Sequence, residues 1–177
     1  MHIAPLAASA APQYRELMLH AYAAAADAFT STPEERAAEP DSWWAKRIAD
    51  PHGLSVALGA FHDEALVGTV TVEFSAKPKT RHKAHLIGMF VLESCRGLGA
   101  GALLVNAALQ VARVRQGVTV VNLTVTEGNE SAIKLYAACG FRSFGVEPKA
   151  IATPDGYKAK VHMWLDLLQP TCADSLL

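Results

Sequence analysis

The order of patterned segments predicts a mixed α/β (α+β) fold, one sheet with a parallel crossover at its middle. Three observations carry that expectation. Runs rich in apolar and β-branched residues recur at 54–61, 66–74, 86–92, 118–125, 141–146 and 157–167, as strands require. Stretches of helical period stand between and before them, at 12–29, 41–49, 103–114 and 129–140. The stretch from Leu103 to Val114 also separates two strongly apolar runs, the arrangement that joins parallel neighbours.

Ile3 to Leu6 reads as a short first strand. Pro12 to Phe29 reads as a helix with Leu17, Ala21 and Ala24 on one side, and Pro12 sits near its start, where a missing N–H is harmless. Thr30 to Pro40 is a polar connection with a helical turn from Pro33. Asp41 or Ser42 is the expected cap of a second helix through Ala49, stopped by Asp50-Pro51. Leu54–Phe61 and Leu66–Phe74 pair across His62-Asp63-Glu64, and Lys77–Lys83 is a basic loop. Leu86–Leu92 is the next strand; a glycine-rich turn and a helix to about Gln116 follow, with Gly117 as the expected stop. Val118–Val125 is almost unbroken in β-branched residues, which suits a buried central strand. Asn129 caps a short helix ending at Gly140. Phe141–Val146 and Tyr157–Leu167 form a last hairpin around Pro154-Asp155-Gly156. Residues 1–177 read as a single domain with a loose tail over 168–177.

Composition narrows the classes. The chain has 177 residues, enough for a full core, and 51% of them are hydrophobic. No uninterrupted apolar run reaches membrane-spanning length, and the first residues lack the basic-then-apolar pattern of a secretory signal. With 16 basic and 17 acidic residues, net charge argues for neither a nucleic-acid nor a membrane partner. Cys95, Cys139 and Cys172 lack metal spacing and cannot all pair, so reduced thiols in a cytoplasm and no metal are expected.

The most informative segment is Arg96-Gly97-Leu98-Gly99-Ala100-Gly101, between an apolar strand and a helix start. Glycines admit close backbone approach, and a new helix offers unpaired N–H groups and the positive end of its dipole. That is an anion cradle. The segment also fits the dinucleotide pattern G-x-G-x-x-G/A, with Glu127 ending the following strand. Two facts oppose that reading: the turn lies past mid-chain after a strand-rich half, and about 50 residues follow Glu127, too few for a second mononucleotide half.

The second motif is Asn129-Glu130-Ser131-Ala132-Ile133-Lys134-Leu135-Tyr136, followed by Cys139-Gly140-Phe141. Read with the first, about thirty residues upstream, it resembles the GNAT family of acyl-CoA-dependent N-acyltransferases. Arg96, Gly99 and Gly101 fill that family's R/Q-x-x-G-x-G/A pattern. Asn129, Ala132, Leu135, Tyr136, Gly140 and Phe141 fill N-x-x-A-x-x-L-Y-x-x-x-G-F. The resemblance is close from Ala84 to Val146 and looser over most of the chain. It implies a mostly antiparallel sheet of six to seven strands with a central splayed parallel pair, flanked by about four helices.

It also implies a chemistry: acetyl transfer from acetyl-CoA to a primary amine of a small-molecule or peptide acceptor, by direct attack in a ternary complex. The N–H groups from Gly97 through Leu98, Gly99, Ala100 and Gly101 are expected to cradle the CoA diphosphate, with Arg96 opening the turn. Asn129 matches the residue that bonds the pantetheine arm, and as a bare sequence feature it is equally an N-cap. By the same resemblance the Met89 main chain meets the thioester carbonyl and Val91 meets pantetheine. Gly88 is expected to mark a bulge that frees these groups.

Tyr136 is the candidate acid, since a phenol stays protonated at neutral pH, and it lies two helical turns from Asn129 on the same face. His85 stands eleven residues before Arg96, where one histone-acetylating branch carries a glutamate base. Imidazole takes or relays a proton near pH 7. Glu73 is the rival base and His162 a weaker third. Trp43 and Trp44 either line the acceptor site or dock their helix, docking being the expectation. A non-catalytic acyl-CoA sensor is the competing class, and Tyr136 speaks against it. Homodimerisation through the last hairpin fits such folds.

Overall fold

The computed structural model describes residues 1–169, so Cys172 and nearly all of the expected tail lie outside the described residues. The elements are β1 (His2–Pro5), α1 (Ala11–Ala24), α2 (Pro33–Ala37), α3 (Asp41–Ile48), β2 (Ser55–His62), β3 (Ala65–Phe74), β4 (Lys83–Val91), α4 (Ala100–Val114), β5 (Val120–Thr126), α5 (Glu130–Ala138), β6 (Arg142–Thr153) and β7 (Gly156–Asp166). Seven strands form one sheet in the order β1-β2-β3-β4-β5-β7-β6. Every neighbouring pair is antiparallel except β4–β5. A lone parallel pair leaves no place for the doubly wound parallel sheet that dinucleotide binding needs.

The sheet is covered on both faces. On one, α4 lays down Leu104, Val105, Ala108, Leu109 and Ala112, a stripe at helical spacing, all buried. They join Val70, Val72, Leu86, Val121 and Leu123 in the larger core. On the other face α1 and α3 bring Tyr14, Leu17, Met18, Trp44 and Ile48 against Ala57, Leu66 and Phe90. Alternation along β5 follows: Val121, Leu123 and Val125 are buried, while Asn122 and Thr124 on the opposite side are half-buried.

Several boundaries differ from the sequence reading, each for a tertiary reason. Helix α1 ends at Ala24 rather than Phe29, and a single 3-10 turn, Ala26–Ala28, follows. The alanine run has helix propensity, but Asp27 is tied across the sheet. Its carbonyl accepts from Thr126 Oγ1, and its carboxylate pairs with Lys158. Pro40 is the N-cap of α3, so neither Asp41 nor Ser42 caps it; Asp41 lies inside the first turn, where its charge suits the dipole. Strand β4 begins at Lys83, because Lys83, Ala84 and His85 pair with Val120, Val121 and Asn122. Helix α4 stops at Val114, capped by Arg115, and Gly117 forms a left-handed turn (φ 83°) beyond it. Strand β6 runs on to Thr153. It is an edge strand with an irregularity between Glu147 and Ile151, which accommodates Pro148 and the left-handed Lys149.

The feature that positions the site is short. Parallel pairing of β4 and β5 stops at His85–Asn122. Just beyond, β4 carries a bulge: Thr71 faces Ile87 and Thr69 faces Phe90, so Gly88 and Met89 together oppose Val70. Gly88 takes φ 61°, which glycine alone adopts freely. The bulge bends β4 away from β5.

Leu104 is fully buried at the centre of the α4–sheet contact. Leu104→Ala is expected to lower unfolding stability by about 2–5 kcal/mol in denaturant titration.

Candidate active site

A cavity of about 330 Å³ opens where β4 and β5 part. His85, Ile87, Gly88 and Met89 from β4 face Thr124 and Val125 from β5 across it. Asn129, Ala132, Leu135 and Tyr136 close it from the α5 side, and Phe29, Arg36, Arg47 and Lys160 rim it on the α1–α3 side. The opening thus passes between the strands and joins the two faces of the sheet. Its volume lies within the range of small-molecule sites.

The glycine turn sits at the end of β4 on the α4 face. Its three glycines do two different jobs. Gly97 (φ 73°) and Gly99 (φ 83°) adopt left-handed backbone, and an added Cβ at either would meet no atom within 4 Å. They bend the chain and leave the turn open above. Gly101 is ordinary helix, but a Cβ there would lie 3.0 Å from Leu135 Cδ2 and 3.6 Å from Met89 Cε, so its bareness lets α5 approach α4. Gly99 is the N-cap of α4 and has no side chain to satisfy the first N–H groups, which face outward with the positive end of the dipole. Leu98 is exposed and Ala100 buried.

Arg96 folds back rather than reaching over the turn. Its Nε donates to the Val91 carbonyl (3.1 Å) and its Nη2 to Glu93 Oε1 (3.0 Å). Glu93 also meets His20 of α1 at 3.0 Å; that hydrogen bond first, then one from its own backbone N–H, hold its carboxyl below the usual range, with the Arg96 charge adding less. Val91 is therefore engaged by Arg96 and paired with Gly68, outside the cavity lining, whereas Met89 lines it.

Asn129 Oδ1 accepts from the Ala132 N–H (3.2 Å) and the Ser131 hydroxyl (3.1 Å), so the capping role is present. Because the acceptor atom is taken by the cap, the side-chain NH₂ is left as two donors at the cavity wall. Tyr136 is buried, edge-on to Phe141 at 5.8 Å between ring centres, and lines the cavity. Burial, with the Cys139 thiol adding, pushes its phenol well above the ordinary range.

Glu73, His85 and Asn122 are register partners on adjacent strands and share one face. Burial lowers the His85 pKa from 6.5, opposed mainly by the neighbouring Glu73 charge. Of the three candidate bases only His85 lines the cavity. Glu73 stands one strand behind it, and His162 faces Thr124, paired with Glu147 at 3.3 Å. Trp44 is buried edge-on to Tyr14, so it docks α3; Trp43 is half-buried beneath two guanidiniums, Arg36 at 4.7 Å and Arg47 at 5.5 Å from its ring centre. Cys95 is buried in the core. Arg36, Arg47 and Lys160 were absent from the sequence reading: nothing local distinguishes a last-turn arginine that faces a cavity from one that faces solvent. Among the described residues no helix is long and apolar enough to cross a membrane, and no group of three or more His, Cys, Asp or Glu converges as metal ligands.

Comparison with known proteins bears on this geometry. A model of the family described as "Acetyltransferase (GNAT) family" matches residues 16–141. The L-amino acid N-acetyltransferase AaaT of Escherichia coli (strain K12) is 29% identical over 109 residues, 62% of this chain and 66% of that protein; the match thus spans just under two thirds of the relative. Among solved structures, a GCN5-related N-acetyltransferase from Kribbella flavida aligns with a TM-score of 0.79 at 24% identity, over 94% of this chain and 97% of that one. YncA of Salmonella typhimurium, solved with its cofactor acetyl-CoA, aligns with a TM-score of 0.77 at 18% identity, over 99% and 98%. Both structural likenesses are of fold.

The two roles open to Asn129 separate by substitution. Asn129→Ala removes the cap and is expected to cost about 0.5–2 kcal/mol in chemical unfolding. Asn129→Asp keeps a capping oxygen and loses only the NH₂ donors, so its stability is expected to stay within about 0.5 kcal/mol of the parent.

Proposed function

The chain belongs to the GNAT acetyltransferase family, and from that premise we propose that it moves an acetyl group from acetyl-CoA to a primary amine by direct attack in a ternary complex. The observation that carries the proposal is the cavity at the parting of β4 and β5. One opening brings Asn129 and Tyr136 to the same space as His85, and Leu135 on the same helix packs against Gly101 at the start of α4.

The residues present fit acetyl-CoA. The turn at Gly97 and Gly99 is open above, its N–H groups suit a diphosphate, and the Asn129 NH₂ suits the amide-rich pantetheine arm. The bulge at Gly88–Met89 leaves main chain out of ladder register at the cavity wall, where an N–H can polarise a thioester carbonyl. When bound, the coenzyme supplies the activated acetyl group. Arg96 holds the turn's shape through Val91 and Glu93.

Tyr136 serves as the acid. Its raised pKa keeps it protonated throughout the working range, and its proton goes to the sulfur as the C–S bond breaks. The same burial that raises the phenol also desolvates a departing thiolate, which raises its affinity for the proton. His85 takes the proton that the amine loses as the new C–N bond forms, directly or through water. Its lowered pKa means that the ring is neutral at pH 7 and ready to accept. Glu73 is a positioning residue: its charge raises the His85 pKa against burial, so it strengthens the base.

Thiol-release kinetics test these roles together. Tyr136→Phe is expected to lower kcat more than about tenfold while acetyl-CoA affinity holds; an unchanged kcat removes Tyr136 from the mechanism. The acidic limb of the kcat profile is expected below pH 6.5, because a depressed pKa keeps His85 unprotonated to lower pH. Glu73→Gln removes the influence that raises that pKa, so the limb moves further to acid, and His85→Ala abolishes it. A limb lost in Glu73→Gln and kept in His85→Ala assigns the base to Glu73.

A further inference from the structure

The cavity has an unbalanced charge. Arg36, Arg47 and Lys160 line it, with His85 deeper in, and no Asp or Glu is among its lining residues. Partly buried cations without counter-ions are unfavourable, and their usual resolution is a bound anion.

Two of the three cations have no carboxylate partner among the described residues, although Arg47 also has the Tyr14 hydroxyl as a neighbour. Among the described residues no carboxylate lies within ion-pairing distance of Arg47 or Lys160. Arg36 has a long contact to Glu39 (3.6 Å) and donates from Nη2 to Ser31, while its Nε is buried without a partner. Both guanidiniums lie over the same indole, Trp43, so two like charges converge on one spot at the rim. Helix dipoles account for arginines in the last turns of α2 and α3. They do not account for both heads meeting at a cavity.

The coenzyme does not fill this role. Its diphosphate site is the glycine turn on the α4 face, whereas Arg36 and Arg47 are on the opposite, α1–α3 side. We propose that the acceptor is a primary amine carrying a carboxylate, held by Arg36 and Arg47, and that polyamines and other polycations are excluded. This rests on the acetyl-transfer reading above. Guanidinium is suited to the task, since its planar fork matches a carboxylate's two oxygens. Phe29, edge-on to Tyr22 at 4.9 Å between ring centres, gives the same rim an apolar wall for a side chain.

The charge also bears on the chemistry. Nearby cations disfavour the protonated amine and lower its pKa. A neutral imidazole is too weak to deprotonate an ordinary ammonium of pKa about 10, so the cationic rim makes the nucleophile easier to generate.

The test measures kcat/KM by thiol release for the proteinogenic L-amino acids, their carboxamides and spermidine, beside acetyl-CoA calorimetry. The expected result is turnover of at least one acid, with its amide poorer by about a hundredfold or more, as loss of a charge-assisted pair implies. Arg47→Gln and Arg36→Gln are expected to raise KM for the acid about tenfold or more, to leave KM for the amide unchanged while lowering its kcat modestly, and to leave acetyl-CoA affinity unchanged. Melting temperatures report whether each variant is folded, and the wild-type ratio of acid to amide stands whatever the variants do. Acetyl-CoA binding with no amino acid turned over, or with amide or spermidine used as well as the acid, overturns the inference and leaves acetyl transfer standing. Failure to bind acetyl-CoA overturns both.

Discussion

A parallel pairing that ends early underlies the whole arrangement. β4 and β5 hold each other for three residues and then part at His85–Asn122. In an ordinary sheet such a gap exposes unsatisfied backbone and is closed by side chains or another strand. Here the glycine-centred bulge at Gly88–Met89 turns β4 away, and α5 and the α1–α3 layer seal the gap only at its ends. The result is a passage through the sheet with a different chemistry at each mouth. One is bordered by Asn129 and Tyr136 of the α5 segment, the other by Arg36, Arg47 and Lys160.

Parts that stabilise the fold are the same parts that shape the passage. The cap of α5 consumes the oxygen of Asn129 and thereby aims its NH₂. Gly101 is small so that Leu135 can pack close, and that packing brings the α5 face, with Tyr136, to the cavity. The chain of contacts from His20 through Glu93 to Arg96 and the Val91 carbonyl links α1 on one face to the glycine turn beyond the end of the central strand β4. Asp27 ties the end of α1 to β5 and β7, and the segment just after it supplies Phe29 to the rim. Changes at these positions therefore alter stability and site shape together.

Much of this was legible in the sequence because the relevant signals are local. Glycines at left-handed positions, an asparagine at a helix start and β-branched runs each report backbone conformation directly, and so the glycine turn, the α5 cap, the bulge at Gly88 and the central strand were all readable. Capping at α3 was misread because the helix begins one residue early: Pro40 is extended and Asp41 is already helical, so no side chain caps the start. The end of α1 and the run of β6 past Pro148 depend on ties to distant strands, which no local pattern encodes. The cationic rim was invisible for the same reason: Arg36, Arg47 and Lys160 come from three elements that only the fold brings together. His85 and Glu73 were singled out separately, and their shared face is a fact of register between β3 and β4.

On the proposed function, the glycine turn and the parted strands serve a single coenzyme. Backbone amide NMR of the ¹⁵N-labelled protein, titrated with coenzyme A, tests it most directly. Shifts are expected to concentrate at Gly97 through Gly101, at Gly88 and Met89, and at the Asn129 side-chain amide. Signals that stay unmoved at saturating coenzyme A, or that move only at sites away from the turn and the passage, would contradict it.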